Sequence, residues 1–291
     1  MVPTFTLLTL AVLALWLGAG DRVSVARRNF WLLPWIGSLV TALASGIVQP
    51  IGLGWIAALV GTTFWFAHPP VQRWQRIAAG AALLALAAGL MLHRLPGFNN
   101  PRVISAVRFS ADAIPFTLYL NYDKTLVGLF ILGWCHSRLA HVAEWRAMLA
   151  TAAPRAGCVI AVIFVLSLAM GYVRFELKFP PVIWLWLWVN LCFTCLAEEA
   201  LFRGFIQAQL QHLWRRWSWG TWLALGVAAG LFGLAHAAGG AAYVALATVA
   251  GLGYGWVYQR TQRIEASILT HFALNTAHFL AFTYPALQPS A

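Results

Sequence analysis

Glu198, Glu199, Arg203, His236, His271 and Asn275, all in the last third of the chain, are residue types that hydrolytic chemistry uses. A glutamate close to a histidine in a low-dielectric site can hold a water and take its proton, the work of a general base. Histidine and asparagine at i and i+4 share one helix face and could stabilise the oxyanion that develops at a carbonyl under attack. Glu198 and Glu199 stand out because the chain has only 8 acidic residues, and these two read as the ones set deep in a hydrophobic stretch. An ionisable side chain inside a membrane is costly unless paired or facing a wet cavity, so it is a functional-site hypothesis by default.

Helical geometry divides the two acids. Glu199 and Arg203 are spaced i,i+4 with the acid first, the favourable orientation for an ion pair on one helix. Glu198 lies about 100° round the helix from Glu199 and cannot share that face, which leaves it toward a cavity. The run from Val182 to Trp214 reads as one long helix, apolar all round in its first half and amphipathic in its second. A turn near residues 215–219 would fold it against the apolar run ending at His236. Glu198 precedes Trp214 by 16 residues and His236 follows Trp219 by 17, so each is ~25 Å from the turn at ~1.5 Å per residue. His271, Asn275 and His278 form a polar stripe on a third apolar run. Such a stripe faces a bundle interior or a cavity, though polar groups also hydrogen-bond helices together, at about 0.6 kcal/mol each.

These elements must sit in a membrane. The chain is 61% hydrophobic and 9% charged over 291 residues, against about 25% charged in soluble domains. The fold class expected is all-α: a polytopic transmembrane bundle of about 8–10 helices, forming one integral domain over residues 1–291. Apolar segments fall near 3–20, 30–48, 51–67, 77–92, 125–135, 156–173, 181–198, 221–237, 241–258 and 264–283. The breaks are Gln49-Pro50, His68-Pro-Pro70, Leu95-Pro-Gly97 and Phe179-Pro-Pro181. The first run, Pro3 to Gly20, reads as a transmembrane helix, since no basic region precedes it. The stretch 93–124 carries Arg94, Arg102, Arg108 and Lys124 against Asp112 and Asp123, and is expected to hide an interfacial or re-entrant element.

The net charge of +11 does not point to nucleic acid, because the basic residues are scattered over short connections (Arg22, Arg27, Arg28; Arg73, Arg76; Arg215, Arg216; Arg260, Arg263). That pattern fits the positive-inside rule, with membrane lipid headgroups as partners, both termini outside and the Arg-rich connections cytoplasmic. Cys135, Cys158, Cys192 and Cys195 are dispersed in apolar segments and read as small hydrophobes.

Glu198-Glu199-x-x-x-Arg203, Phe232-x-x-x-His236 and His271-x-x-x-Asn275 resemble, in order, the three motifs of the CPBP family of intramembrane proteases. This family, also called Abi or CAAX-protease and bacteriocin-processing enzymes, includes the Ras-converting CAAX endopeptidases. The resemblance covers about residues 180–283, the catalytic core, and leaves 1–179 as a family-variable transmembrane region. It implies that Glu198 and His236 activate the attacking water, that His271 and Asn275 bind the oxyanion, and that Glu199 and Arg203 support the site. It implies an endopeptidase acting on a membrane-associated polypeptide, CAAX-like lipidated ones included, in a bacterial inner membrane and reached from the cytoplasm.

No cofactor is expected, although metal dependence stays open on the residues alone. Zinc would want about three ligands, which His236, His271 and one of Glu198, Glu199 or His278 could supply. The sequence has no H-E-x-x-H, no G-x-G-D and no G-x-S-x-G. Two other classes compete with the protease. A proton- or ion-coupled transporter also buries Glu, His and Arg, but no internal repeat appears. A non-catalytic bacteriocin-immunity protein would be expected to have lost Glu198 or His236.

Overall fold

The computed structural model describes residues 1–20, 24–68 and 72–288. Arg22 and the Pro69-Pro70 break lie outside the described residues, as does the side chain of Arg73. In order the chain forms α1 (Val2–Leu17), α2 (Leu32–Ala44), α3 (Pro50–Ala67), α4 (Arg73–Met91), the strands β1 (Arg102–Val107) and β2 (Phe116–Tyr119), and α5 (Tyr122–Cys135). Then come α6 (Val142–Ala169), α7 (Ile183–Leu213), α8 (Gly220–Ala235), α9 (Gly240–Thr261) and α10 (Ile264–Ala281). The architecture is an all-α bundle.

Among the described residues, five helices are long and apolar enough to cross a membrane: Pro50–Ala67, Trp74–Met91, Val142–Ala169, Ile183–Leu213 and Ala237–Thr261. α1, α2 and α8 are shorter apolar helices. The apolar runs read at 125–135 and 264–283 are helices too, α5 and α10, but charged and polar residues dilute them. α7 differs from the other candidate spans in burial: 72% of its most apolar window is buried, against 17–28% for the rest.

Two stretches depart from the sequence reading. α6 begins 14 residues before the apolar run at 156–173, and Pro154 lies inside it. A membrane helix tolerates such a proline, so the helix starts well before its most apolar run. Within 93–124 there is no re-entrant helix among the described residues; residues 102–119 form an antiparallel hairpin, with Arg102 opposite Tyr119 and Val107 opposite Phe116. Its strands are short and interrupted by bulges, and their alternation is too weak to read against the surrounding apolar helices.

The chain divides into two compact units. The first comprises Met1–Pro101, Leu120–Glu144 and Cys192–Phe205. Its core is α5, whose residues from Tyr122 to Gly133 are nearly all buried. Trp31 and Trp35 pack edge-on against Phe130, with ring centroids at 5.4 and 4.9 Å. Phe5 meets Phe193 at 5.7 Å and Phe66 meets Phe205 at 5.1 Å, so the middle of α7 is held by aromatic contacts along its length. The closest approach is at Gly128: a Cβ there would stand 2.6 Å from Ala197 Cα, a backbone atom that cannot step aside. Gly128→Val is therefore expected to cost at least the ~1–3 kcal/mol typical of overpacking. A clear fall in the unfolding midpoint in detergent would register it, and an unchanged midpoint would mean that α5 and α7 are not packed this tightly.

The second unit comprises Arg102–Tyr119, Trp145–Leu191 and the described residues from Ile206 onward. The turn at Trp214–Trp219 folds the end of α7 back along α8, the hairpin expected from the sequence. α8 and α9 pack most closely near Gly233, where a Cβ would meet Val244 O at 2.8 Å and overlap the Thr248 hydroxyl. Trp186 on the first turns of α7 stacks on Phe279 of α10 with centroids 4.3 Å apart and planes 3° off parallel. That contact sets the spacing of two helices carrying candidate residues.

Candidate active site

α7 is not uniformly α-helical. Asn190–Cys195 and Ala200–Gln207 are π-helical, and the single α-helical turn between them is Leu196–Glu199. π-helical turns are rare and concentrate at functional sites, because they insert a residue into the helix and rotate everything beyond it. Glu198 and Glu199 therefore sit in a short regular turn bracketed by two phase shifts.

In the first unit the two acids have separate partners. Arg203 Nη1 donates to Glu199 Oε1 at 3.0 Å, and both side chains are fully buried. Glu198, 6% exposed, receives a hydrogen bond from Lys124 Nζ on its Oε1 at 2.5 Å. The sequence reading left Glu198 open to a cavity and placed Lys124 in an outlying loop. Lys124 instead lies in the first turns of α5, one helical turn before Gly128, and reaches α7 from there. Nothing local in sequence links positions 74 residues apart, so only the packing of α5 on α7 reveals this partner.

Burial of acids is also wider than the apolar pattern suggests, since Asp123 and Glu265 are 1% and 2% exposed. Asp123 accepts from His93 Nδ1 at 2.8 Å, from Asn100 Nδ2 at 2.9 Å and from the Lys124 backbone N–H at 2.8 Å. Glu265 falls in the first turn of α10, where the helix dipole favours negative charge.

The second unit holds the other candidates. His236 terminates α8 just after Gly233, and its Nδ1 lies 2.7 Å from the Phe232 carbonyl. A carbonyl only accepts, so Nδ1 carries the proton and Nε2 presents its lone pair in the neutral ring. His271 is 4% exposed; its ring stacks on Tyr254 at 4.6 Å and meets the edge of Phe232 at 5.7 Å. One turn on, Asn275 Nδ2 donates to Asn190 Oδ1 at 3.1 Å, an amide nitrogen bearing two hydrogens of which this bond uses one. Asn190 opens the first π-helical turn of α7, eight residues before Glu198. Sequence spacing missed it because the phase shift at 190–195 removes the ordinary 3.6-residue register.

His278 is engaged at the end of α10. Its Nε2 donates to the Thr283 carbonyl at 3.2 Å and its ring packs against Tyr284 at 5.0 Å, which closes the end of α10. Among the described residues no group of three or more His, Cys, Asp or Glu side chains is arranged to hold a metal ion.

Fold and site together define a multi-pass integral membrane protein in which two buried acids on one partly π-helical helix each hold a cation, while the second unit carries His236, His271 and Asn275 on α8 and α10. Residues 179–277 match the family model for type II CAAX prenyl endopeptidase Rce1-like proteins. That segment contains Glu198, Glu199, Arg203, His236, His271 and Asn275, and the match agrees with the CPBP resemblance of their motifs. It supports, in general terms, a CAAX-type intramembrane endopeptidase. Neither a curated protein nor a solved structure matches the chain.

Proposed function

We propose that the chain hydrolyses a peptide bond near the end of a membrane-associated polypeptide, CAAX-like lipidated substrates included, with water activated by Glu198 and His236. The family match over 179–277 carries this reading, because it spans every residue the chemistry needs. Glu198 takes a proton from water as the water oxygen attacks the scissile carbonyl carbon. The carbonyl π electrons move onto oxygen, where His271 and Asn275 donate hydrogen bonds to the oxyanion. Collapse of the tetrahedral intermediate breaks the C–N bond, and the proton held by Glu198 passes to the leaving nitrogen. His236 orients the water through Nε2, the nitrogen left as acceptor by the Phe232 carbonyl. Glu199 and Arg203 neutralise each other and hold the Glu198 turn.

Removing the imidazole tests this assignment. His236→Ala is expected to lower turnover by about 10²–10⁴, the range for a positioned acid–base group, in cleavage of a prenylated CAAX-type peptide by detergent-purified protein. Turnover equal to wild type would remove His236 from the reaction. The Arg-rich connections, among them Arg215 and Arg216, support a cytoplasmic position for the turn at 214–219. A cysteine introduced at Ser218 should react with a membrane-impermeant maleimide in inverted vesicles and not in intact cells.

A further inference from the structure

We infer that Lys124 is a positioning residue for Glu198, supplying the opposite charge and aiming that carboxylate so that it can act as the base. The inference rests on the reading of Glu198 as the base and assigns the residue that makes it one. Lys124 is itself mostly buried, with a side chain 14% exposed against 7% for Glu198. Burying a lone charge in such surroundings is costly unless a partner is fixed beside it. Glu199 does not share this problem, because Arg203 neutralises it within the same helix. Lys124 supplies the matching cation for Glu198, so the buried set Glu198, Glu199, Lys124 and Arg203 carries no net charge.

The ammonium is fixed from two directions. Behind it, Asp123 is engaged by His93 and Asn100, and Asn100 Oδ1 accepts the Tyr122 backbone N–H at 2.8 Å. The start of α5 is thereby tied to the 93–100 segment, and Asp123 has its own partners. Ahead of it, the backbone contact at Gly128 and Ala197 sets the distance from α5 to α7. Lys124 bonds Oε1, and a carboxylate offers about four acceptor sites across two oxygens, so the ion pair is compatible with holding a water. The charge also stays balanced through the reaction. When Glu198 takes the proton, the negative charge moves to the oxyanion and the lysine remains the cation of the site.

The test compares Lys124→Met, Lys124→Arg, Glu198→Gln and the Lys124→Met/Glu198→Gln double variant in peptide cleavage and detergent unfolding. Lys124→Met is expected to lower kcat by about 100-fold or more, the lower bound for losing a positioned base, with KM little changed. Lys124→Arg restores at least about tenfold of that loss, since it returns the cation with a different shape. In unfolding, the double variant is expected to fall less than the sum of the two single variants, because neither charge is left alone. Wild-type kcat in Lys124→Met, with Glu198→Gln inactive, overturns the role of Lys124 and leaves Glu198 as the base. Wild-type kcat in Glu198→Gln overturns the underlying reading instead. Strictly additive unfolding shifts also overturn the inference, whatever the kinetics.

Discussion

Glu198→Gln is expected to reduce peptide cleavage by about 10²–10⁴ while leaving a folded, detergent-soluble protein. The substitution keeps the shape of the side chain and its ability to accept a hydrogen bond from Lys124, and removes the capacity to take a proton from water together with the negative charge opposite Lys124, so some stability is lost with the activity. Steady-state kinetics should show the loss in kcat, because the base acts in the step that breaks the substrate and not in binding. Undiminished kcat in this variant would transfer the base role to another group, and Glu199 would be the first to examine.

Glu199→Ala has an effect of similar size on a different quantity. Glu199 and Arg203 are both fully buried and bonded at 3.0 Å. Removing one member of such a pair strands the other charge, at a cost of about 3–5 kcal/mol, whereas replacing both with apolar residues of similar volume is often neutral or stabilising. Glu199→Ala should therefore unfold at much lower denaturant, and Glu199→Leu/Arg203→Leu should recover most of that loss. Reversible unfolding in mixed detergent micelles measures both. A Glu199→Ala protein as stable as wild type would show that the pair does not hold the helix, and the structural role given to it would fall.

The contrast between the two acids follows from local geometry that sequence carries well. An i,i+4 spacing predicts the Glu199–Arg203 pair because it needs only one helical turn, and the bond is present. The apolar runs likewise predict helices at each position from α1 to α10, since composition alone sets a span. What sequence does not carry are relations between distant segments. Lys124 reads as one charge among several in a polar connection, and its meeting with Glu198 depends on a glycine contact between α5 and α7. Asn190 reads as one polar residue in a run of tryptophan, leucine and valine, and the π-helical turn that begins there breaks the register from which a helical wheel would place it. His278 fits the stripe of His271 and Asn275 by spacing, but the helix ends at Ala281 and the Thr283 carbonyl just beyond it claims its ring nitrogen. The hairpin at 102–119 escaped because its strands are short and bulged.

One glutamate is paired with a cation one turn away on the same helix, which is why a structural role is proposed for it. The other is the proposed base, and its cation is delivered from a different helix.

The central claim is that this chain hydrolyses peptide bonds within the membrane, and mass spectrometry of the products tests it most directly. Purified wild-type protein in detergent, incubated with a prenylated peptide ending in a CAAX-type sequence, is predicted to yield one internal cut close to the carboxyl terminus. In water enriched in oxygen-18 the new carboxyl group should gain one heavy oxygen. Recovery of intact peptide only, from protein that is folded and monodisperse, would contradict the account.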